Sequence, residues 1–165
     1  MSATSFKDIP DLLEGLKRTP RLLAEFVTAV PEDRLDRRRG EGFWTVAEHA
    51  SHLAQVQPML LERLQRFLDE DRPVFVPYIP GEDEKEGGPP AEMAMKAVLA
   101  EFAKCRQRQL ALLEKADGAA WQKTALHPEY DLYSLYILTR HILMHDHWHM
   151  YRMEQLWLTK DEFLE

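Results

Sequence analysis

The sequence has one cysteine, Cys105, among 165 residues, so no intrachain disulfide can form and stability must come from a packed core. That usage suits a reducing compartment. No apolar run approaches the roughly 18 residues a membrane span requires. The N-terminal stretch MSATSFKDIPDLL has no basic segment leading into an apolar one, so no signal peptide is read. Clean period-two alternation is missing, which argues against a sheet of half-buried strands. There is no internal repeat and no glycine-rich phosphate loop. Basic charge is in deficit, 21 Lys and Arg against 28 Asp and Glu, a net −7. That balance disfavours a nucleic-acid or anionic-membrane partner. A soluble cytoplasmic protein is expected.

Two local features run against this background. RLDRRR concentrates Arg34, Arg37, Arg38 and Arg39; short basic runs are more often solvated loop than anion site. Cys105 lies among Val98, Phe102 and Leu112, where a thiol reads as buried filler rather than as a nucleophile.

What is present is an ordinary globular balance, 45% apolar and 30% charged, at a length that suits one domain over residues 1–165. Four or five segments carry helical periodicity. The first runs from about Asp11 to Val30, with Pro20 marking a break or kink. The second opens at FWTVAEH, where Thr45 and Glu48 have the spacing of a capping box. Val46, Leu53, Val56, Leu60, Leu64 and Phe67 then mark one face. The third runs from about Pro90 to Ala116 and the fourth from about Ser134 to Leu158. Positions 71–90 hold five of the ten prolines and three glycines. That stretch cannot be helical, and it reads as a plain crossover or as a lid. The predicted class is all-α, a four-helix bundle with a long crossover loop between helices 2 and 3.

The fourth segment contains HILMHDHWHM, four of the seven histidines within nine positions. His145 lies three residues after Ile142, and His149 lies four after His145, so both follow the apolar stripe one above the other. Buried imidazoles need polar partners, and a metal ion satisfies one nitrogen on each ring. His141 cannot share an ion with His149, because eight residues of helix separate them by ~12 Å. His147 faces away with Arg140 and Glu154 as a surface residue. Asp146 leaves the face of His145 and is the weaker ligand candidate. His127, in TALHPEY, reads as loop polarity. A third ligand must come from elsewhere, and TVAEHASHL offers His49 and His52. Either could reach; the deeper position in the helix slightly favours His52. Three neutral imidazoles suit zinc, nickel or another late divalent ion and leave a coordination position open, the mark of a catalytic or ligand-binding site.

WTVAEHASHL followed some ninety residues later by HDHWHMYRMEQL resembles the DinB/YfiT superfamily. Trp44, Thr45, His52 and Leu53 match its first motif, and His145, Asp146 and His149 its last. The resemblance implies a four-helix bundle in which His52, His145 and His149 bind one divalent metal, zinc or nickel. It selects His52 over His49 and implies a homodimer. Relatives include transferases that use a low-molecular-weight thiol and proteins labelled metal-dependent hydrolases. Many members carry Gln three residues after the last histidine; here that position is Arg152, a candidate for binding an anionic group of a small-molecule substrate or for pairing with an acidic neighbour.

Three functions follow. A metal-dependent transferase would hold a thiol as thiolate and direct it at a small electrophile. A hydrolase would activate water and needs a general base, for which the nearby carboxylates Glu48 and Asp146 lack HExxH spacing. A non-enzymatic metal-binding module, stress-associated, is the third.

Overall fold

The computed structural model describes residues 6–77 and 88–165. Six α-helices are present among them: α1 (Ile9–Ala29), α2 (Val46–Gln55), α3 (Gln57–Asp69), α4 (Met95–Leu113), α5 (Gly118–Gln122) and α6 (Leu135–Leu158). Four rods form the bundle, because α2 and α3 run nearly end to end as the expected second segment. Their break at Val56 has a local cause. Pro58 has no N–H to bond the Ala54 carbonyl, and its ring crowds that carbonyl.

The second internal proline has the opposite outcome. Pro20 lies inside α1, which runs through it. The Leu16 carbonyl that Pro20 leaves unpaired accepts from the Thr19 hydroxyl at 3.1 Å and from Arg106 Nη1 at 3.1 Å. Neighbouring side chains thus replace the missing backbone bond. The capping box at Thr45 and Glu48 forms as expected: Thr45 Oγ1 accepts from the Glu48 N–H at 3.1 Å, and Glu48 Oε2 accepts from the Thr45 N–H at 2.8 Å. Ser134 caps α6. The short α5, capped by Asp117, had no periodic signal in the sequence.

Cross-helix pairs set the directions. Tyr136 donates to Asp8, Leu143 packs on Gly15, and Thr19 lies against Asp146, so α1 and α6 run parallel. Gly15 permits the approach, since a Cβ there would sit 2.9 Å from Leu143 Cδ2. His49 meets His149 and His52 meets His145, so α2 and α6 are antiparallel. Ser51 bonds Met93 while Gln57 bonds Gln109, so α2–α3 and α4 are parallel. Parallel neighbours require the chain to return along the bundle, roughly 35 Å for the α2–α3 rod. This is the physical reason for a long connection between α3 and α4. Residues 78–87 of that connection lie outside the described residues. Its first part is anchored: Phe75 is 2% exposed, and its N–H donates to the Leu126 carbonyl.

Packing is in two apolar clusters. One centres on Leu16, Leu60, Leu64, Phe67 and Leu138, the other on Leu23, Leu53, Val98, Phe102 and Met153. Between them lies a belt of buried polar side chains: Thr19, Gln57, Arg106, Gln109 and Asp146. The histidines of α2 and α6 lie at the same level. Three of the four arginines in the basic run are ion-paired with the chain's own acids, Arg34 and Arg37 sharing Asp161 and Arg38 with Glu48. No described helix is long and apolar enough to cross a membrane.

Candidate metal centre

The capping box at Thr45 starts α2 at Val46, which places His49 and His52 one turn apart facing α6. On α6, His145 and His149 are likewise one turn apart. The antiparallel crossing brings the four rings together. His145 Nε2 lies 3.2 Å from His52 Nε2 and 3.1 Å from His149 Nε2. One ligand nitrogen from each of the three rings falls within 4.8 Å of the others.

Three neutral rings cannot satisfy these contacts by hydrogen bonding alone, because a single Nε2 proton on His145 serves one neighbour and not two. A metal ion would use all three lone pairs. Tetrahedral bonds of ~2.0–2.1 Å place ligand nitrogens ~3.3 Å apart, close to the two contacts found. Burial also prepares the donors. It pushes the His52 and His145 imidazoles down to about 4 and, with the neighbouring rings adding to it, His149 to about 2. All three are neutral at physiological pH, so an ion would displace no proton from them. The residues fit a divalent ion.

His49 is not among the three. Its Nδ1 lies 2.8 Å from His149 Nδ1, on the far side of that ring from the cluster. With His149 Nδ1 as the donor and His49 Nδ1 as the acceptor, this contact leaves His149 Nε2 free for an ion, the role that partners of ligating histidines usually fill. Its pKa is pushed down to about 4 by burial and then by Arg152. Trp44 covers the group, with ring centroids 5.3 Å from His52 and 6.0 Å from His149. A β-turn positions it: Phe43 N–H donates to the Gly40 carbonyl at 3.1 Å, and Gly42 has the φ of +83° that the third position of such a turn needs.

The remaining sequence candidates are placed as follows. Asp146 turns away from the cluster into the polar belt, where Oδ2 accepts from Arg106 Nη2 at 2.7 Å, so it is not a fourth ligand. Glu48 is engaged by its own cap and by Arg38. Arg152 has no acidic partner among the described residues. Its Nη1 donates to Gln155 at 3.0 Å, and it lines a cavity of about 200 Å³ with His49, His149 and Trp148. His147 is exposed. His52, His145 and His149 all line a second, larger cavity of about 470 Å³. His127 and His141 line it too, which spacing along the sequence had no way to show.

The family model of the DinB superfamily matches residues 15–153. The chain belongs to the DinB superfamily. Within the DinB superfamily, it is 28% identical over 127 residues to a protein of Oceanobacillus iheyensis that carries the provisional name of a metal-dependent hydrolase; the match covers 73% of this chain and 69% of that one. Among solved structures it is similar to YfiT from Bacillus subtilis, described as a probable metal-dependent hydrolase with an unusual four-helix bundle topology. The TM-score is 0.75 at 20% identity, over 94% of this chain and 89% of that chain. At that identity the likeness speaks for the fold, and the parallel pairs found above agree with an unusual bundle topology.

Proposed function

We propose that this DinB-superfamily protein is a metal-dependent enzyme acting on a small molecule, with zinc or nickel held by His52, His145 and His149. The observation that carries the reading is the convergence of three imidazole nitrogens, those of buried His52 and His149 and half-buried His145, on one wall of an open cavity. When bound, such an ion would supply Lewis acidity and a lowered pKa for an incoming thiol or water.

Of the two chemistries, thiol transfer is favoured. The thiol R–SH would give up its proton, its sulfur would bond to the electrophilic carbon, and the leaving group would depart with a proton. This needs no carboxylate beside the histidines, and both nearby carboxylates, Glu48 and Asp146, are already engaged by guanidinium groups. Trp44 would exclude water from one side. Arg152, across His149 in the smaller cavity, would hold an acidic part of the thiol or of its acceptor. Hydrolysis is the second reading, supported by the names of the relatives.

The test substitutes cobalt for the native ion and titrates with bacillithiol, mycothiol, glutathione and a simple thiol. Thiolate ligation would produce a sulfur-to-metal charge-transfer band, weaker in Arg152→Ala. Absence of a band with every thiol, alongside ester or amide hydrolysis lost in His149→Ala, would replace transfer by hydrolysis.

The same reading includes a homodimer. Met144, Trp148 and Tyr151 form an exposed apolar stripe on α6, and such stripes are commonly covered by a partner. Sedimentation of wild type and Tyr151→Glu tests it; a monomeric wild type ends it.

A further inference from the structure

The larger cavity has two chemically different ends. The histidine cluster forms one. The walls between are apolar and aromatic, including Trp44, Leu60, Leu138 and Ile142. At the other end, Arg63 of α3 meets His127 and Tyr133, which come from the segment between α5 and α6. His127 and Tyr133 have ring centroids 5.0 Å apart, and His141 approaches Tyr133 from α6 at 6.4 Å.

The donors at this end outnumber their partners. Arg63 Nη1 donates to the Tyr133 hydroxyl at 3.3 Å and Nη2 to the Val76 carbonyl. Both acceptors are neutral, and no carboxylate lies within ion-pair distance of Arg63 among the described residues. A guanidinium has five N–H donors, so three remain. The group is held in place by the face of buried Phe75, 5.2 Å from its centre. Tyr133 accepts from Arg63 and so has its own hydroxyl hydrogen to give. His127 Nδ1 accepts from the Glu129 N–H at 3.1 Å, which puts the proton of the neutral ring on Nε2 and makes that nitrogen a donor. Burial and then Arg63 push the His127 imidazole down, while Glu129 draws it back. A fixed cation with hydroxyl and imidazole donors around it is the chemistry that recognises a planar or tetrahedral oxyanion. Glu129 also lines the cavity; it is exposed, so solvent weakens its opposing charge without cancelling it at this short range.

We propose that Arg63, His127 and Tyr133 form an oxyanion-binding subsite, so that the substrate is an elongated, partly apolar molecule with a carboxylate or phosphate at the end remote from the histidine cluster. The proposal rests on the metal reading only in taking that cluster as the reacting end.

The experiment measures binding of phenylacetate, phenyl phosphate and neutral phenylacetamide by tryptophan fluorescence and calorimetry, with chelator-treated and metal-loaded protein. In chelator-treated wild type, at least one anion should bind about tenfold or more tighter than the amide, the size of one charge-assisted contact; the tighter anion identifies the group. Arg63→Met should remove the preference and retain wild-type metal content. Glu129→Gln, an exposed change, should strengthen anion binding and decides the matter if Arg63→Met does not fold. The proposal is overturned by equal binding of anions and amide, by a preference intact in Arg63→Met, by a preference seen only after metal loading, or by unchanged anion affinity in Glu129→Gln when Arg63→Met is unfolded. Protein that keeps the preference but takes up no metal would instead sink the metal reading and leave this one standing.

Discussion

Arg106 and Asp146 form an ion pair of 2.7 Å with side chains 1% and 0% exposed, on the side of α6 turned away from the histidine cluster. Arg106 finds acceptors for all five N–H groups: Asp146, Thr19, Gln57, Gln109 and the Leu16 carbonyl. Burial holds the Asp146 carboxyl above its usual range, while Arg106 and Thr19 draw it back. The pair spans α4 and α6 and, through Leu16, also bonds the carbonyl that Pro20 frees on α1.

Removing one partner strands the other. Arg106→Met should therefore cost roughly 3–5 kcal/mol in urea unfolding. Arg106→Met combined with Asp146→Leu should recover much of that loss, because both charges leave the core together. A double variant no more stable than Arg106→Met alone would show that the polar belt is needed as a unit.

Metal content separates ligands from their supports. Alanine at His52, His145 or His149 should abolish stoichiometric metal by elemental analysis. His49→Ala should retain metal but lower affinity roughly 10–100-fold in chelator competition, the usual effect of losing a partner of a ligating histidine. His147→Ala should change nothing. Wild-type retention in His52→Ala, with loss in His49→Ala, would exchange the roles of the two α2 histidines.

Cys105 supplies a pH prediction. Burial, and then the Glu101 carboxylate that accepts its S–H at 3.3 Å, push the thiol from 9.0 up to about 11. The folded value lies above the unfolded one, so the favoured form is the protonated thiol. Its contribution to stability is complete below pH 9 and is lost as pH rises through about 11. Alkylation by iodoacetamide should be slow in folded protein until pH approaches that range and should follow an ordinary thiol in urea. Fast labelling of folded protein near neutrality would contradict this environment.

The cap that begins α2 also aims its histidines. Thr45→Ala should cost about 1 kcal/mol in thermal or urea unfolding. Ser and Asp at this position should restore most of it, since each offers an oxygen to the Glu48 N–H. A loss equal in all three variants would assign the effect to packing of the Thr45 methyl group instead.

The sequence by itself determined the helical class, the α2 cap, the start of α6 and the pair His145–His149, because each is written in short-range spacing: 3.6-residue periodicity, a capping box, and an i,i+4 repeat. It also fixed Cys105 as buried. Pro58 and Pro20 show where that legibility stops, since the same residue type ends one helix and passes through another. The difference is the Thr19 hydroxyl and the Arg106 guanidinium, the latter ninety positions away, that accept the task of bonding the freed carbonyl. Likewise, spacing named His49 and His52 as equals in reach, and only the antiparallel crossing put one on His145 and the other behind His149. Asp146 looked like a weak ligand until α4 supplied its cation. His127 and His141 read as unrelated until the return of the chain between α5 and α6 brought them to one cavity with Arg63. Local order follows from neighbours a turn apart, whereas partners for buried charge and the walls of a cavity depend on which helices lie side by side, and that is set by packing of the whole chain.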